Sequence, residues 1–267
     1  MISVTLPSLY PEVLVTCLDN MRWTARGRLE ILVVSPFQPP VGAWGGGGRG
    51  GGEVIWVREM QRLGIAAAHA QAAAKATGDY LFPWADDHLM MDGWDETSIA
   101  EHEEGRKHSI FSLGLRHVAP HDNVETIFGM YYGCFPLMLR RDVEKVGGWL
   151  HEGFRAGFSD ADLGLRVWEN AGRCEWSTAR VVRPTQSNVR PGQWEPKAHE
   201  DALREDLRLL CRRHDWIARD WPTHDASLVN IGVNPERTRL VVDLNTIFCT
   251  HAEKFHRAHP VPDLQPL

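Results

Sequence analysis

The chain has 267 residues, enough for one large α/β domain with an appended tail, and its apolar and charged fractions of 43% and 24% are those of a globular protein. A formal net charge of −6 leaves no basic excess to displace counterions from a phosphate backbone, which argues against nucleic acid as a partner. No run of about eighteen apolar residues occurs and MISVTLPSLY lacks the basic-then-apolar order of a leader. The expectation is therefore a cytoplasmic chain with no transmembrane segment, peripheral contact with a membrane being left open.

Residues 2–6 are a short β-branched run closed by Pro7-Ser8, which reads as a first strand ending in a sharp turn. A helix should follow, with Pro11 in its first turn and Val13, Leu14, Cys17, Leu18 and Met21 at helical spacing. Residues 29–34 read as a second strand stopped by Ser35-Pro36, so strand, helix and strand form a βαβ unit with parallel pairing. The glycine tract at 45–52 lacks the Gly-Lys-Ser/Thr ending of a phosphate cradle and reads as a surface loop or lid. Residues 54–57 are a short strand, and 62–76 an alanine-rich helix ended by Gly78, with His69 in a structural place.

The next stretch, GDYLFPWADDHLMM, is the one on which chemistry should gather. An apolar run at 80–84 stops abruptly in Asp86, Asp87 and His88, and acids delivered at the carboxyl end of a buried strand are how α/β sheets present ligands for metals and phosphates. The plainer use of such a pair is to open a polar loop or cap a helix.

Beyond it, residues 94–102 read as a helix and 109–113 as a strand. Residues 129–139 are partly a strand, which Pro136 should put at an edge or a bend, and 142–146 form a short helix before Gly147-Gly148-Trp149. The basic pair Arg140-Arg141 offers a contact for a phosphorylated ligand or a solvated helix end. In SDADLGLRVWENAG, Ser159 or Asp160 should cap a helix that Gly172 ends, with Asp160 and Asp162 in the favourable field of its first turn. Residues 174–182 make a last strand. A proline-containing linker, an amphipathic helix at 197–213, an apolar run at 240–244 with Ile247-Phe248 and a frayed tail complete the chain. Five scattered cysteines without a CxxC pair suit thiols in a reducing compartment, and eleven tryptophans suit sugar rings and ordinary cores alike.

Four pieces in this order resemble the family-2 glycosyltransferases, inverting enzymes of the GT-A fold. They are Thr5-Leu6-Pro7-Ser8, then GIAAAHAQAAAKATGDYLF, then Asp86-Asp87-His88 in place of the DXD-type motif, then GGW followed by SDADLGLR. The resemblance implies a GT-A-type Rossmann-like domain over residues 1–183, with a mostly parallel sheet flanked by helices. Residues 184–267 would be a C-terminal extension packed on it.

It also implies a nucleotide-sugar donor, UDP-linked in the first instance, and a saccharide, lipid-linked or other hydroxyl acceptor, as in surface polysaccharide or glycoconjugate synthesis. By position Asp86 would contact the ribose or base, together with Leu6, Pro7, Ser8 and Ser35. Asp87 and His88 would hold Mn2+ or Mg2+, and Gly148 and Trp149 would lie near the donor sugar and acceptor. Asp160 would be the catalytic base, with Asp162 beside it. Ser35 stands where the family has an aspartate and Ser159 where it has a glutamate. The family's histidine after the last strand is absent, its work falling to His88 or Arg183. A homodimer contact is attached to the glycine loop and the tail. The rival readings are a sugar-1-phosphate nucleotidyltransferase, which wants a Gly-rich basic loop where PSLYPE stands, and a non-catalytic nucleotide-sugar binder.

Overall fold

The structure is a computed structural model that describes residues 1–40, 49, 51–118, 125–127, 130–185 and 196–214. Most of the glycine loop and of the linker, the apolar runs after 240, Cys249 and the tail lie outside these residues. The elements are β1 (Ile2–Pro7), α1 (Pro11–Thr24), β2 (Leu29–Ser35), β3 (Gly52–Arg58), α2 (Ile65–Ala73), β4 (Tyr80–Pro83), β5 (His88–Met90), α3 (Trp94–Arg106) and β6 (Ile110–His117). They continue with β7 (Glu125–Ile127), β8 (Met130–Tyr132), β9 (Pro136–Leu139), α4 (Arg140–Lys145), α5 (Ser159–Glu169), β10 (Arg173–Pro184) and α6 (Pro196–Arg213).

Eight strands form one sheet in the order β3-β2-β1-β4-β9-β6-β10-β5, and β7 and β8 form a separate hairpin. Strands β1 to β4 pair parallel, β6 and β10 pair parallel, and β9 lies antiparallel between β4 and β6, so six strands share one direction. β5 joins the far edge antiparallel to β10. The sheet is thus mostly parallel and buried on both faces, which is why β2 reads LEILVVS with every residue buried. One face is covered by α2, α4, α5 and α6 through a cluster that includes Leu32, Ala66, Val143, Leu163, Leu165, Leu207 and Leu210. The other meets α1 and α3 through Ile31, Leu14, Leu18, Met21, Phe82 and Trp94.

Several local expectations change. Pro136 opens a strand in the interior of the sheet, not at its edge, because the first residue of a strand needs no ladder N–H. Helix α2 ends at Ala73, well before Gly78. A Cβ on Gly78 would lie 2.6 Å from Ser3 Oγ, so that glycine answers to close packing of β1 against the start of β4. Helix α5 is entered through Phe158 in the left-handed region (φ 63°) with no side-chain cap, so neither Ser159 nor Asp160 is the N-cap. At its other end Ala171 takes the positive φ, and Gly172 admits the Phe111 ring, which a Cβ would meet at 2.3 Å.

Candidate functional site

The sheet reverses its winding between β1 and β4, and in an open α/β sheet the crevice outside the carboxyl ends of the strands at such a point is where ligands bind. Both ends are fixed by backbone hydrogen bonds: Trp84 N donates to Thr5 O at 2.9 Å, and Ser8 N to Val34 O at 3.0 Å. Across the junction Ser8 Oγ donates to Asp86 Oδ2 at 2.5 Å, so two residues 78 positions apart, each expected at a donor site, are hydrogen-bonded. Leu6 fills the core and Pro7 is partly exposed. Ser35 ends β2 fully buried, and its Oγ accepts a hydrogen bond from Phe37 N at 3.4 Å. Behind the junction Thr5 Oγ1 bonds His69 Nδ1 at 2.8 Å, and burial holds that imidazole neutral with its pKa lowered to about 3.

Asp86 and Asp87 lie in the turn between β4 and β5. His88 Nδ1 donates to Asp87 Oδ1 at 2.7 Å, and the Asp87 side chain keeps 28% of its surface exposed, so it is open to a ligand. The turn is tied to the end of β10: Thr185 donates both its N–H and its Oγ1 to Asp87 O at 2.9 Å, and His88 faces Pro184 in the ladder. The exposed Arg183 is therefore next to Leu89, at the same end as the acids. His117, at the end of β6, stacks edge-on to His88 with ring centroids 5.2 Å apart, and Phe135 and Trp84 close the cluster. Nothing in the spacing of the sequence links 117 or 185 to 87 and 88. Their adjacency follows from the order β6-β10-β5.

Among the described residues no group of three or more His, Cys, Asp or Glu side chains is placed to hold a metal ion. Asp87 and His88 do not form a closed cage, then. They fit a hard divalent ion that keeps water or borrows phosphate oxygens, and a histidine whose Nδ1–H is held by a carboxylate presents Nε2 as a ligand.

Helix α5 runs back along the sheet into the parallel strand β10, so its N-terminus, with Asp160, lies at the same carboxyl edge as Asp86 and Asp87. The turn before it reaches the start of α2 at that edge as well. A Cβ on Gly64, itself at φ 113°, would lie 2.7 Å from Arg155 Cα. Asp160 is partly exposed, and its Oδ1 accepts the N–H of Ala161 at 2.9 Å.

Asp162 departs from expectation: its carboxylate has no exposure, and its oxygens are met by Arg166 Nε at 2.8 Å, Arg213 Nε at 2.6 Å and His214 Nε2 at 3.2 Å. Although burial by itself would raise its pKa, these cationic partners hold it well below the usual carboxylate range, and a group so enclosed supports the fold and does not meet substrate. Arg166 in turn donates to the carbonyls of Val146, Gly148 and Trp149 at 2.7–3.0 Å. That clamp and two positive-φ glycines, Gly147 and Gly148, shape the Gly-Gly-Trp loop. Trp149 departs too, since its indole is buried in the core with 7% exposure. Arg140 of the basic pair donates to Gly78 O at 2.7 and 3.0 Å, at the amino end of β4 and therefore on the opposite edge from the acids.

The fold is of the GT-A class of Rossmann-like folds. No described family matches the sequence, and no curated protein does. Solved structures do resemble the fold. TarS from S. aureus, in complex with UDP-GlcNAc, aligns over 94% of this chain and 81% of its own at 12% identity (TM-score 0.54). The mannosyltransferase PcManGT from Pyrobaculum calidifontis, in complex with GDP-Man and Mn2+, aligns over 99% and 76% at 16% identity (TM-score 0.54). GalNAc-T7, with UDP, GalNAc and Mn2+, aligns over 98% and 58% at 15% identity (TM-score 0.58).

Proposed function

We propose that this chain is a metal-dependent inverting glycosyltransferase of the family-2 type, which moves a sugar from a nucleotide-diphosphate donor to a hydroxyl acceptor. The observation that carries the reading is the Ser8–Asp86 hydrogen bond across the β1–β4 junction with Asp87 and His88 next in line. The bound nucleotide sugars of the structurally similar proteins support it.

In this reading the base and ribose lie against Pro7, Ser8 and Asp86, and the diphosphate near Asp87 and His88. Those two residues would hold Mn2+ or Mg2+, which when bound neutralises charge on the leaving diphosphate. The imidazole of His88 favours Mn2+. The acceptor hydroxyl attacks the anomeric carbon and gives its proton to Asp160 as the new C–O bond forms. The bond to the diphosphate breaks and its electron pair leaves with the phosphate oxygen. One base and one displacement invert the carbon. Asp160 stands in the first turn of α5, where the helix N-terminus favours a negative charge.

The test is release of nucleotide from a panel of UDP- and GDP-sugars with MnCl2 or EDTA, on the parent chain and Asp160→Asn. Manganese-dependent release that the variant loses at least 100-fold while still binding UDP supports the proposal. Binding of UDP without release from any donor supports instead a non-catalytic binder, the reading that the buried Ser35 favours.

A further inference from the structure

Helix α6 lies beyond the linker, yet it reaches under the turn that leads to Asp160. Asp206 is buried (1% exposed), and its carboxylate accepts the N–H of Arg155 at 3.0 Å, of Ala156 at 2.7 Å and of Gly157 at 2.9 Å. Three successive amides thus converge on one anion, in the way a backbone nest binds a ligand. Directly after them comes Phe158 in the left-handed region, a strained conformation for a residue with a Cβ that persists only when its surroundings over-determine it. Leu203 closes the turn from the same helix, since a Cβ on Gly157 would come within 2.9 Å of its Cδ2. The helix itself is anchored by Leu207, Leu210 and Cys211 in the core.

We infer that Asp206 is a positioning residue, whose carboxylate holds the 155–157 amides so that Phe158 can turn left-handed and present Asp160 at the mouth of the site. The inference rests on Asp160 being the base. Oδ2 takes all three amides and Oδ1 only that of Arg155, so an asparagine at 206 replaces the anion by a neutral oxygen and turns an NH2 toward the Arg155 N–H; the turn relaxes and Asp160 loses its aim.

The test uses the full chain with Asp206→Asn and Asp160→Asn. It measures nucleotide release from the donor panel in MnCl2, divided by the number of UDP-binding sites found by calorimetry. A merely structural defect removes binding sites and turnover together, leaving the ratio unchanged. The expected result for Asp206→Asn is a drop of at least tenfold in turnover per UDP site, with UDP affinity and donor KM within twofold of the parent. Parent-like turnover per site, with Asp160→Asn inactive, overturns the positioning role alone. Parent-like turnover by Asp160→Asn overturns the assignment of the base on which it rests. Should Asp206→Asn not fold, hydrogen exchange on the parent decides. Amides 155–157 exchanging as slowly as those in the middle of α5 support the role, and exchange at the rate of an open loop contradicts it.

Discussion

The two halves of the site are held in place by different physics. At the β1–β4 junction, Pro7, Ser8 and Asp86 continue strands that are paired along their length, and their positions follow from ladder hydrogen bonds within a sheet buried on both faces. On the Asp160 side no ladder exists. The Gly-Gly-Trp loop is shaped by the Arg166 guanidinium on three carbonyls, and the 155–157 turn by the Asp206 carboxylate on three amides. Both charges lead back to α6, directly for Asp206 and through Asp162 for Arg166. The first half should therefore be indifferent to distant change, whereas the second should respond to pH and to substitutions far from it along the chain.

The largest effect should come from Arg166→Met. It strips a buried carboxylate of one partner and orphans three carbonyls, and breaking a buried pair in this way costs about 3–5 kcal/mol. Urea unfolding should show that loss, while the molecules that remain folded keep their UDP affinity. A variant as stable as the parent would mean that the charge network does not hold this half together.

His214→Gln should have a smaller and pH-dependent effect. Both ring nitrogens of His214 face carboxylates, Nδ1 to Glu169 at 2.7 Å and Nε2 to Asp162 at 3.2 Å, an arrangement that favours the protonated ring. Despite burial, which by itself lowers it, these partners raise its pKa above the ordinary 6.5. A raised folded value means stability that is fully present below pH 6.5 and lost as pH climbs through the folded pKa. Asp162, depressed below 3.8, loses its contribution only in acid, so it stays constant over that range. The buried His69, with its value lowered, acts in the opposite sense, losing stability as pH falls below 6.5 toward about 3. The stabilities of the parent and His214→Gln should thus differ by about 1.5–3 kcal/mol at pH 6 and converge as pH rises past the folded pKa. A gap that widens with rising pH would contradict the assignment.

The smallest effect on stability belongs to Ser8→Ala. It removes the hydroxyl's bond to Asp86 and its longer contacts with the Tyr10 backbone at the rigid half, together worth about 1.5 kcal/mol, and should leave the exchange of amides 155–157 unchanged. Faster exchange there would show that the two halves are coupled after all.

What could be read from the sequence divides along the same line. The strands of the first half announce themselves as apolar runs that stop at Pro7-Ser8 and at Asp86-Asp87, because a strand buried on both faces has a local signature and its end is where that signature breaks. The same logic located the helix bearing Asp160. It could not locate β5, three residues long and paired only with β10, nor the central place of β9. It also sets Asp162 beside the base Asp160 in the site, since both stand in a first helical turn. Only the arrival of Arg213 and His214, about fifty positions later, separates a partly exposed carboxylate from one enclosed by cations. His117 was invisible for a similar reason, because pairing across a sheet leaves no trace in spacing.

The central claim is that the acids closing β4 form a cation-assisted nucleotide site at the β1–β4 junction. Calorimetric titration of UDP into the parent and Asp87→Asn, each with and without MnCl2, tests it most directly. Manganese should tighten UDP binding to the parent at least tenfold and leave the variant unaffected. Equal manganese enhancement in both proteins, or none in the parent, would contradict it.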